Sequence, residues 1–323
     1  MPTVVVTDYS FPSLDIEEAI LKSAGCELVA GQCKTPDELK ALVADADAVI
    51  TQFAPVNADV VAAMNRAKVI VRYGIGFDNV ACDAARDRNI PVCNIPDYCI
   101  DEVADHTLAF ILAATRGLRA NQSMMTGGEW GLGLPLEQMK ALKDQTVGIV
   151  GLGRIGKAVA ARLRAFGCAM LIADPVVDAD AAKELGGTLV GIDDLLKNSD
   201  VVTLHCPSTP QTRGIINESS LAAMKAGAIL INVGRGDLVN LKALTAALDS
   251  GHISAAALDV FEVEPLPADS RLLAMNNVIV SSHVASASPK AVRKLRETAA
   301  RAAVSALRGE PLQNIVNGVV VDV

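Results

Sequence analysis

The sequence predicts an α/β protein built from two βα domains, and three observations favour this class. Of its 323 residues, 51% are hydrophobic and only 3% are aromatic. Val, Ile, Leu and Ala therefore dominate, as they do in buried parallel strands covered by helices. Short apolar runs alternate with amphipathic segments along the chain. The length also exceeds the roughly 100 to 200 residues of a typical single domain.

In the N-terminal part, four apolar runs predict strands, and an amphipathic segment between them predicts a helix. Acidic residues then open a stretch with apolar positions at helical spacing, which predicts one long helix ended by a glycine-rich segment. The strands are expected at residues 3–7, 48–52, 69–72 and 91–94, the helices at 36–44 and 101 to about 125, and the glycine-rich segment at 127–135.

A second series of apolar runs predicts six more strands separated by helical material, which is the content of a complete doubly wound fold. A last helix is expected at residues 289–307. Because it follows the sixth strand, we expect it to pack back on the N-terminal domain, which would then be discontinuous. The six strands are expected at residues 146–150, 169–173, 201–205, 228–233, 255–260 and 278–281.

Charge and composition exclude several classes of protein. The formal net charge is −8, whereas a nucleic-acid-binding face requires clustered basic residues. No apolar run in the sequence approaches the roughly 18 uncharged residues of a membrane-spanning helix. Residues 1–10 lack the basic start and cleavage site of a secretory signal, so we expect a cytoplasmic protein.

The seven cysteines predict reduced thiols rather than disulfides or a metal centre. Their number is odd, they form no C-x-x-C pair, and no histidines cluster with them. Cys206 adjoins a predicted strand beside a candidate site, while the others are expected to be small core residues. We therefore predict no metal ion.

A glycine motif of the form G-x-G-x-x-G lies between the first strand of the second series and a helical run. In this context the glycines allow a tight turn, close approach of a pyrophosphate and close helix–strand packing. The N-terminus of the following helix stabilises the bound anion. The motif predicts a Rossmann dinucleotide site formed by Gly151, Gly153, Arg154, Ile155 and Gly156.

Asp174 predicts which dinucleotide is bound. It ends the next strand, about 20 residues after the glycines, where a carboxylate accepts hydrogen bonds from the ribose hydroxyls. The same charge would repel a 2′-phosphate, and Pro175 and Val176 add no cation. The sequence therefore predicts NAD rather than NADP.

Four polar residues fall at predicted carboxyl ends of strands, where ligands bind in open α/β sheets. Moving a hydride between a hydroxy acid and nicotinamide requires a base for the hydroxyl proton and a cation for the carboxylate. Histidine and arginine meet these needs, but the residues alone do not choose between the two histidines. The four are His205, Arg235, Asp259 and His283.

A carboxylate beside the catalytic histidine would raise the histidine pKa and keep the ring protonated near neutral pH. Glu262 and Glu264 are both candidates, and their positions alone do not choose between them. His106 lies within the predicted long helix and His252 at the amino end of a strand, so both are poorly placed for hydride chemistry.

Three ordered motifs resemble signatures of the D-isomer-specific 2-hydroxyacid dehydrogenase family, over a match from about residue 69 to residue 317. They are Asn232-Val-Gly-Arg235-Gly-Asp-Leu-Val, Ala256-Ala-Leu-Asp259-Val-Phe-Glu-Val-Glu264-Pro and Ser281-Ser-His283-Val-Ala-Ser. The resemblance implies that His283 and Glu264 form the acid–base pair and that Arg235 binds the substrate carboxylate. It implies an NAD-dependent oxidoreductase that transfers a hydride between nicotinamide and C2 of a small D-2-hydroxy acid or 2-keto acid.

The resemblance also implies further contacts. Asp259 would help to seat the nicotinamide amide, and a glycine loop would grip the substrate carboxylate with its backbone N–H groups. Arg72 in that loop would meet a phosphate-bearing substrate or form a structural salt bridge. Other cofactor contacts are expected from Thr107, His205, Cys206, Pro207, Thr212, Val233 and Gly234, and substrate contacts from Arg72, Tyr73, Gly74, Ile75 and Gly76.

By the same resemblance, a Rossmann NAD-binding domain at residues 100–285 is inserted into a flavodoxin-like substrate domain at residues 1–99 and 286–323. We expect a homodimer with a contact formed by residues 108–114 and the Trp130 loop. Because the sequence ends at residue 323, we expect it to lack the regulatory domains of long phosphoglycerate dehydrogenases.

The chain is most similar to the branch of C-terminal-binding proteins and short phosphoglycerate dehydrogenases. That branch includes transcriptional corepressors, so the alternative is a non-catalytic module that senses NAD(H).

Three positions depart from the family pattern. Ser282 replaces the usual Pro, Asp105 stands where Glu is common, and Asn240 where Asp is common. None of these departures removes a catalytic group.

Overall fold

The computed structural model describes residues 1–320, and the chain forms two compact units. The first unit contains Met1–Tyr98 and the segment that begins at Ser288, and the second contains Cys99–Ala287. The last three residues of the predicted segment 286–323 lie outside the described part of the chain.

Within residues 1–98, all of which are described, five parallel strands form the smaller sheet. Their order, β2-β1-β3-β4-β5, is that of flavodoxin-like sheets. The chain alternates between strands and helices, so every connection crosses over a sheet face, as parallel pairing requires. The strands are β1 (Thr3–Val6), β2 (Glu27–Ala30), β3 (Ala48–Thr51), β4 (Ile70–Arg72) and β5 (Val92–Cys93), and the helices α1 (Asp15–Ser23), α2 (Pro36–Val43), α3 (Ala58–Ala63) and α4 (Cys82–Asp87).

Residues 99–287, also fully described, hold the larger sheet of seven parallel strands. Two consecutive helices, α5 (Ile100–Thr115) and α6 (Leu118–Thr126), precede its first strand. The strands are β6 (Thr146–Val150), β7 (Ala169–Ala173), β8 (Thr188–Leu189), β9 (Val201–Leu204), β10 (Ala228–Asn232), β11 (Ile253–Leu258) and β12 (Val278–Val280), and the helices α7 (Arg154–Leu163), α8 (Ala179–Glu184), α9 (Ile192–Asn198), α10 (Glu218–Ala223) and α11 (Leu241–Asp249).

The larger sheet reverses its direction of growth beside β6. Its order is β12-β11-β10-β9-β6-β7-β8, so the chain builds outward through β7 and β8 and then returns to add β9 next to β6. In an open parallel sheet, ligands bind in the crevice that such a reversal leaves at the carboxyl ends of the strands. A ligand site is therefore expected at the turns that follow β6 and β9.

A long helix, α12 (Pro289–Arg308), returns the chain to the first unit and packs on α1, β3 and β4. Its inner face carries Ala299, Ala303 and Leu295, which join the apolar core on one face of the smaller sheet. Ser288 caps the helix by accepting a hydrogen bond from the Ala291 N–H.

A buried ionic network joins α12 to α1 and to the loop after β4. The Nη2 of Arg296 lies 2.6 Å from Oε2 of Glu17, whose side chain is fully buried. The hydroxyl of Tyr73 donates to Oε1 of the same carboxylate at 2.9 Å. Burial, together with the nearby Glu17 carboxylate, raises the pKa of the Tyr73 phenol above its ordinary value, so Tyr73 remains a donor.

The structure corrects one predicted helix. Residues 101–125 do not form a single helix, because Gly117 adopts a left-handed conformation with φ of 57° that ends α5 and begins α6. A Cβ at position 117 would overlap the side chain of Leu134. Glycine is therefore required for both the backbone conformation and the packing of this break.

Two short strands were not anticipated from the sequence. Both β2 and β8 are edge strands, and β8 is only two residues long. Neither is an apolar run of the kind that marks the buried strands, because an edge strand is covered less completely. Most of the other strands begin and end within one residue of their predicted bounds, whereas β11 begins and ends two residues earlier than predicted. Both differences are within the ordinary uncertainty of element ends.

None of the helices within residues 1–320 combines the length and the hydrophobicity needed to cross a membrane. In the same described part of the chain, no group of three or more His, Cys, Asp or Glu side chains is arranged to hold a metal ion.

Candidate active site

The predicted glycine turn lies at the reversal of the larger sheet. Gly151 has φ of 94°, and a Cβ there would come within 2.6 Å of the backbone N of Cys206 in the turn after β9. A Cβ at Gly156 would overlap the carbonyl oxygen of Gly151. A Cβ at Gly153 would meet nothing within 4 Å. Gly151 and Gly156 thus permit close packing of the backbone, and Gly153 leaves open space at the N-terminus of α7.

Asp174 follows β7 and faces the glycine turn. Its Oδ2 accepts a hydrogen bond from the Leu152 N–H at 2.7 Å, and its Oδ1 accepts from the Val176 N–H at 2.8 Å. Each carboxylate oxygen has further lone pairs that can accept additional donors. Arg154 and Ile155 open α7, and Arg154 is exposed to solvent.

The segment after β9 closes on itself through Thr212. Its hydroxyl donates to the carbonyl of Pro207 at 2.6 Å and accepts from the Thr209 N–H at 2.8 Å. Cys206 lies at the start of this segment, and burial raises the pKa of its thiol to about 11. The thiol is therefore protonated and unreactive near neutral pH.

His205 is unsuited to hold a proton near neutral pH. Burial lowers its pKa to about 3, since no nearby charge compensates for the loss of hydration. Its Nε2 is hydrogen-bonded to the hydroxyl of Thr203 at 2.9 Å. The ring is thus a neutral part of the β9 terminus and carries no proton to donate from an imidazolium near neutral pH.

His283 and Glu264 form a direct pair. Nδ1 of His283 lies 2.7 Å from Oε2 of Glu264, so the carboxylate accepts from Nδ1–H and leaves Nε2 as the working nitrogen. The second oxygen of Glu264 accepts from the Phe261 N–H at 2.9 Å. Glu262 instead accepts from the Leu241 N–H at the start of α11, at 3.2 Å. Of the two carboxylates left open by the sequence, Glu264 is the one paired with His283.

The pKa of Glu264 is lowered despite partial burial. Burial alone would raise it, but the hydrogen bond and charge of His283, the Phe261 N–H and the positive charge of Arg235 together outweigh that cost. Glu264 is therefore ionised near neutral pH. The influence of Arg235 on this carboxyl also places the guanidinium in the same electrostatic environment as the pair.

Arg235 lies in a turn that follows β10 and is fixed by Asn232. The buried Asn232 side chain donates to the Arg235 carbonyl at 2.8 Å and accepts from the Gly234 N–H at 3.1 Å. The next residue, Gly236, packs so closely on the backbone of Phe261 that a Cβ would overlap its carbonyl group. This contact holds the arginine turn against the turn that leads to Glu264.

Asp259 is buried, and its carboxylate is occupied by the loop that carries His283. Oδ1 accepts from the Val284 N–H and Oδ2 from the Ala285 N–H, each at 2.9 Å. The Asp259 carbonyl accepts from the His283 N–H at 2.8 Å. His283 itself has φ of 57°, a left-handed conformation that is unfavourable for a residue with a Cβ. Asp259 therefore provides the bonds that hold this loop.

Thr107, a predicted cofactor contact, is fully buried on α5, and its hydroxyl donates to the Val103 carbonyl at 2.7 Å. Val233 is buried at the end of β10. The cofactor contacts of Thr107 and Val233 therefore stay predictions.

The predicted substrate loop follows β4 in the first unit. Arg72 is buried and donates from Nη1 to the Tyr73 carbonyl at 3.0 Å. Its guanidinium occupies the space that a Cβ on Gly74 would need, and Gly74 has φ of 148°. The carbonyl of Ile75 accepts from the Asn94 side chain at 2.6 Å. The loop is therefore held by its own arginine and by the end of β5.

Three residues whose side chains form hydrogen bonds in this region are not identified by the sequence patterns. Asn232 lies in the motif that carries Arg235, and an Asn immediately before a turn is a signal in itself. Ser281 and His106 were also passed over. His106 was set aside because it lies on a helix rather than at a strand end, yet its Nε2 is 3.1 Å from the hydroxyl of Ser281.

The larger sheet, its reversal at the glycine turn and the adjoining acidic residue define a Rossmann-type dinucleotide-binding domain. A model of the NAD-binding domain of D-isomer specific 2-hydroxyacid dehydrogenases matches residues 108–285. The chain belongs to this family. The predicted family, the fold class and the NAD cofactor are confirmed by this match and by the relatives below.

Relatives in the family have different names. A D-3-phosphoglycerate dehydrogenase from Mycobacterium leprae (strain TN) is 36% identical over 320 residues, covering 98% of this chain and 59% of its own length. A glyoxylate reductase from Korarchaeum cryptofilum (strain OPF8) is 38% identical over 284 residues, covering 87% of this chain and 86% of the relative. The chain thus spans about three fifths of the phosphoglycerate dehydrogenase it matches.

A solved structure supports the same fold. The crystal structure of D-lactate dehydrogenase from Aquifex aeolicus, complexed with NAD and lactic acid, superposes with a TM-score of 0.85 at 29% identity, covering 95% of this chain and 96% of that one.

Proposed function

We propose that the chain is an NAD-dependent D-2-hydroxyacid dehydrogenase that acts as a 2-keto acid reductase. His283 and Glu264 are its acid–base pair, and Arg235 binds the substrate carboxylate. The observation that carries the proposal is the 2.7 Å hydrogen bond from His283 to an ionised Glu264, on the same domain as the glycine turn. Family membership and the names of the relatives support it.

The glycine turn fits a dinucleotide. Space at Gly153 and the start of the ten-residue helix α7 suit a pyrophosphate, and the spare lone pairs of Asp174 suit ribose hydroxyls. We assign residues 100–285 as the NAD-binding domain and residues 1–99 with 286–323 as the substrate domain. The cofactor contacts are Gly151, Gly153, Arg154, Ile155, Gly156, Asp174, His205, Cys206, Pro207, Thr212, Val233, Gly234, Asp259 and Thr107, and the substrate contacts Arg72, Tyr73, Gly74, Ile75 and Gly76.

The chemistry follows from the charges of the pair. When bound, NADH supplies the hydride that adds to C2 of the keto acid. His283 donates a proton from Nε2 to the C2 oxygen, and the negative charge of Glu264 stabilises the positive charge on the ring before the transfer. The hydroxy acid is released with that proton, and His283 takes a new proton from solvent. In oxidation the same nitrogen accepts the hydroxyl proton.

Arg235 supplies the positive charge of the site. A guanidinium matches a carboxylate in geometry and can hold it through two hydrogen bonds. The turn fixed by Asn232 and Gly236 limits the positions that the side chain can reach. Arg235 thereby orients the keto group toward His283 and adds positive charge beside the developing alkoxide.

The first test follows NADH absorbance with a panel of glyoxylate, hydroxypyruvate, phosphohydroxypyruvate and pyruvate, each repeated with NADPH. We expect turnover of at least one acid with NADH in preference to NADPH. His283→Ala should lower kcat by about a hundredfold or more while leaving NADH affinity nearly unchanged. If no acid of the panel is reduced while NADH still binds, the result would instead support the alternative of an NAD(H)-sensing module.

We also propose a homodimer. Several large apolar side chains on and after α6 in the second unit are exposed, and Trp130 is 90% exposed. Exposed apolar side chains that cluster on a surface are typical of a protein–protein contact. Sedimentation should give a dimer at micromolar concentration, and Trp130→Ser should shift it toward monomer. The exposed residues are Leu118, Met125, Trp130, Leu132 and Leu136.

We propose a cytoplasmic location as well. Cys26, Cys33, Cys82, Cys93, Cys168 and Cys206 are free thiols in the described part of the chain, a state that a reducing compartment maintains. Fractionation of the source cells tests this proposal.

A further inference from the structure

His106 begins a hydrogen-bond chain that ends at the loop of His283. It lies on α5, and its Nε2 is 3.1 Å from Oγ of Ser281, the residue after β12. The Ser281 hydroxyl is also hydrogen-bonded to Oδ1 of the buried Asp259. Asp259 in turn accepts from the Val284 N–H. The chain therefore links a helix to a loop more than 170 residues later, as the sequence separation of 175 between His106 and Ser281 shows.

The protons available fix the direction of each bond. An ionised carboxylate only accepts, so Ser281 donates its single hydroxyl proton to Asp259. The serine oxygen then has only lone pairs left, so His106 donates to it from Nε2. Both the imidazolium and the neutral tautomer with a proton on Nε2 can make this bond. The chain therefore survives a change in the charge of His106.

Asp259 also holds the loop in which His283 has an unfavourable backbone conformation. Asp259 accepts from the N–H groups of His283, Val284 and Ala285, through its carbonyl and its two side-chain oxygens. Together these bonds fix three consecutive residues around the left-handed φ of 57° at His283. A rotation of the Asp259 side chain would break its hydrogen bonds to Val284 and Ala285, the two residues that follow His283. The Ser281 hydroxyl on Oδ1 opposes that rotation.

We propose that His106 is a positioning residue for the acid–base histidine. By donating to Ser281 it orients the serine hydroxyl toward Asp259, and Asp259 fixes the loop that presents His283 to Glu264. The inference rests on the proposed function, since it takes His283 to be the acid–base group. The competing explanation is that His106 only packs α5, where its ring lies 4.4 Å from that of Phe110.

Two pairs of variants separate these explanations. Ser281→Ala removes the hydroxyl, and Ser281→Thr keeps it. His106→Phe keeps an aromatic ring beside Phe110 without a donor, and His106→Asn keeps an N–H donor on a shorter side chain. The readouts are kcat, KM for the keto acid, NADH affinity by fluorescence and the thermal midpoint.

We expect Ser281→Ala and His106→Phe to lower kcat by about tenfold, equivalent to about 1.4 kcal/mol in the barrier. Ser281→Thr should restore kcat to within about twofold of the original protein, a difference of about 0.4 kcal/mol. A loss of thermal stability without a fall in kcat, in either donor-free variant, would mean that the chain is only structural and would overturn the inference.

A second measurement does not depend on turnover. The protein has four histidines, so the NMR signal of the His283 ring can be assigned from its loss in His283→Ala. We expect the titration midpoint of His283 to move in Ser281→Ala and to return in Ser281→Thr. An unmoved midpoint contradicts the positioning role. If instead the midpoint moves but no keto acid is reduced by the original protein, the proposed function fails while the structural link stands.

Discussion

Gly236 packs against the backbone of Phe261 more closely than any residue with a Cβ allows. The contact joins the turn of Arg235 to the turn that bears Glu264, whose second oxygen is held by the Phe261 N–H at 2.9 Å. The close spacing of the two turns therefore depends on the absence of a Cβ at Gly236. This spacing positions Arg235, the group that we propose to bind the substrate carboxylate, relative to Glu264, the carboxylate paired with His283.

Gly236→Ala should impair both stability and activity. The added methyl group meets backbone atoms that cannot rotate away, so we expect destabilisation of about 3 kcal/mol and a raised KM for the keto acid. Urea unfolding and steady-state kinetics measure these effects. Gly191→Ala is the matched control, because a Cβ there meets nothing within 4 Å. Equal behaviour of the two variants would contradict the close-packing argument.

Glu264→Gln should move the pH dependence of keto acid reduction toward acid. The lowered pKa of Glu264 keeps its charge in place near neutral pH, and that charge favours the imidazolium form of His283. The amide keeps the size of the side chain but not the charge, so His283 would lose its proton at a lower pH. The acid-to-base fall of kcat/KM should then occur at a lower pH than in the original protein. Glu262→Gln is the control and should leave the profile in place.

His205 should make the folded protein sensitive to acid. Its folded pKa of about 3 lies below the ordinary value of 6.5, so the unfolded chain binds a proton that the folded chain does not. Stability is therefore complete above about pH 6.5 and falls as the pH drops toward 3, by at most about 1.4 kcal/mol per pH unit. His205→Gln should lose less free energy of unfolding than the original protein between about pH 7 and pH 5. Parallel losses in urea titrations would show that other groups dominate.

Breaking the buried pair of Glu17 and Arg296 should destabilise the first unit. Glu17→Gln leaves the guanidinium of Arg296 without its buried charge partner, at a cost of about 3 kcal/mol. Thermal or urea unfolding measures the loss. Asp15→Asn provides the control, because Asp15 contacts the same guanidinium at 3.0 Å but its side chain is 72% exposed. We expect a much smaller effect from the control, and similar effects would argue against burial as the cause.

The sequence by itself determined the fold class and the main features of the site. The short apolar runs and the aliphatic composition predicted the buried strands, because a strand covered on both faces must be apolar along its length. The strand–turn–helix context gave the glycine motif its meaning, since each glycine has a separate steric task there. Positions at the carboxyl ends of predicted strands indicated Arg235, Asp259 and His283 as candidate site residues. These features are local in sequence, and local physics is enough to predict them.

Only the tertiary structure decided the partners of these residues. Glu262 and Glu264 are two residues apart, and their different contacts with Leu241 and His283 depend on how separate turns meet. The break at Gly117 depends on packing against Leu134. The link from His106 through Ser281 to Asp259 joins α5 to the end of the larger sheet. Such contacts depend on the packing of elements that are distant in sequence, which no local pattern records.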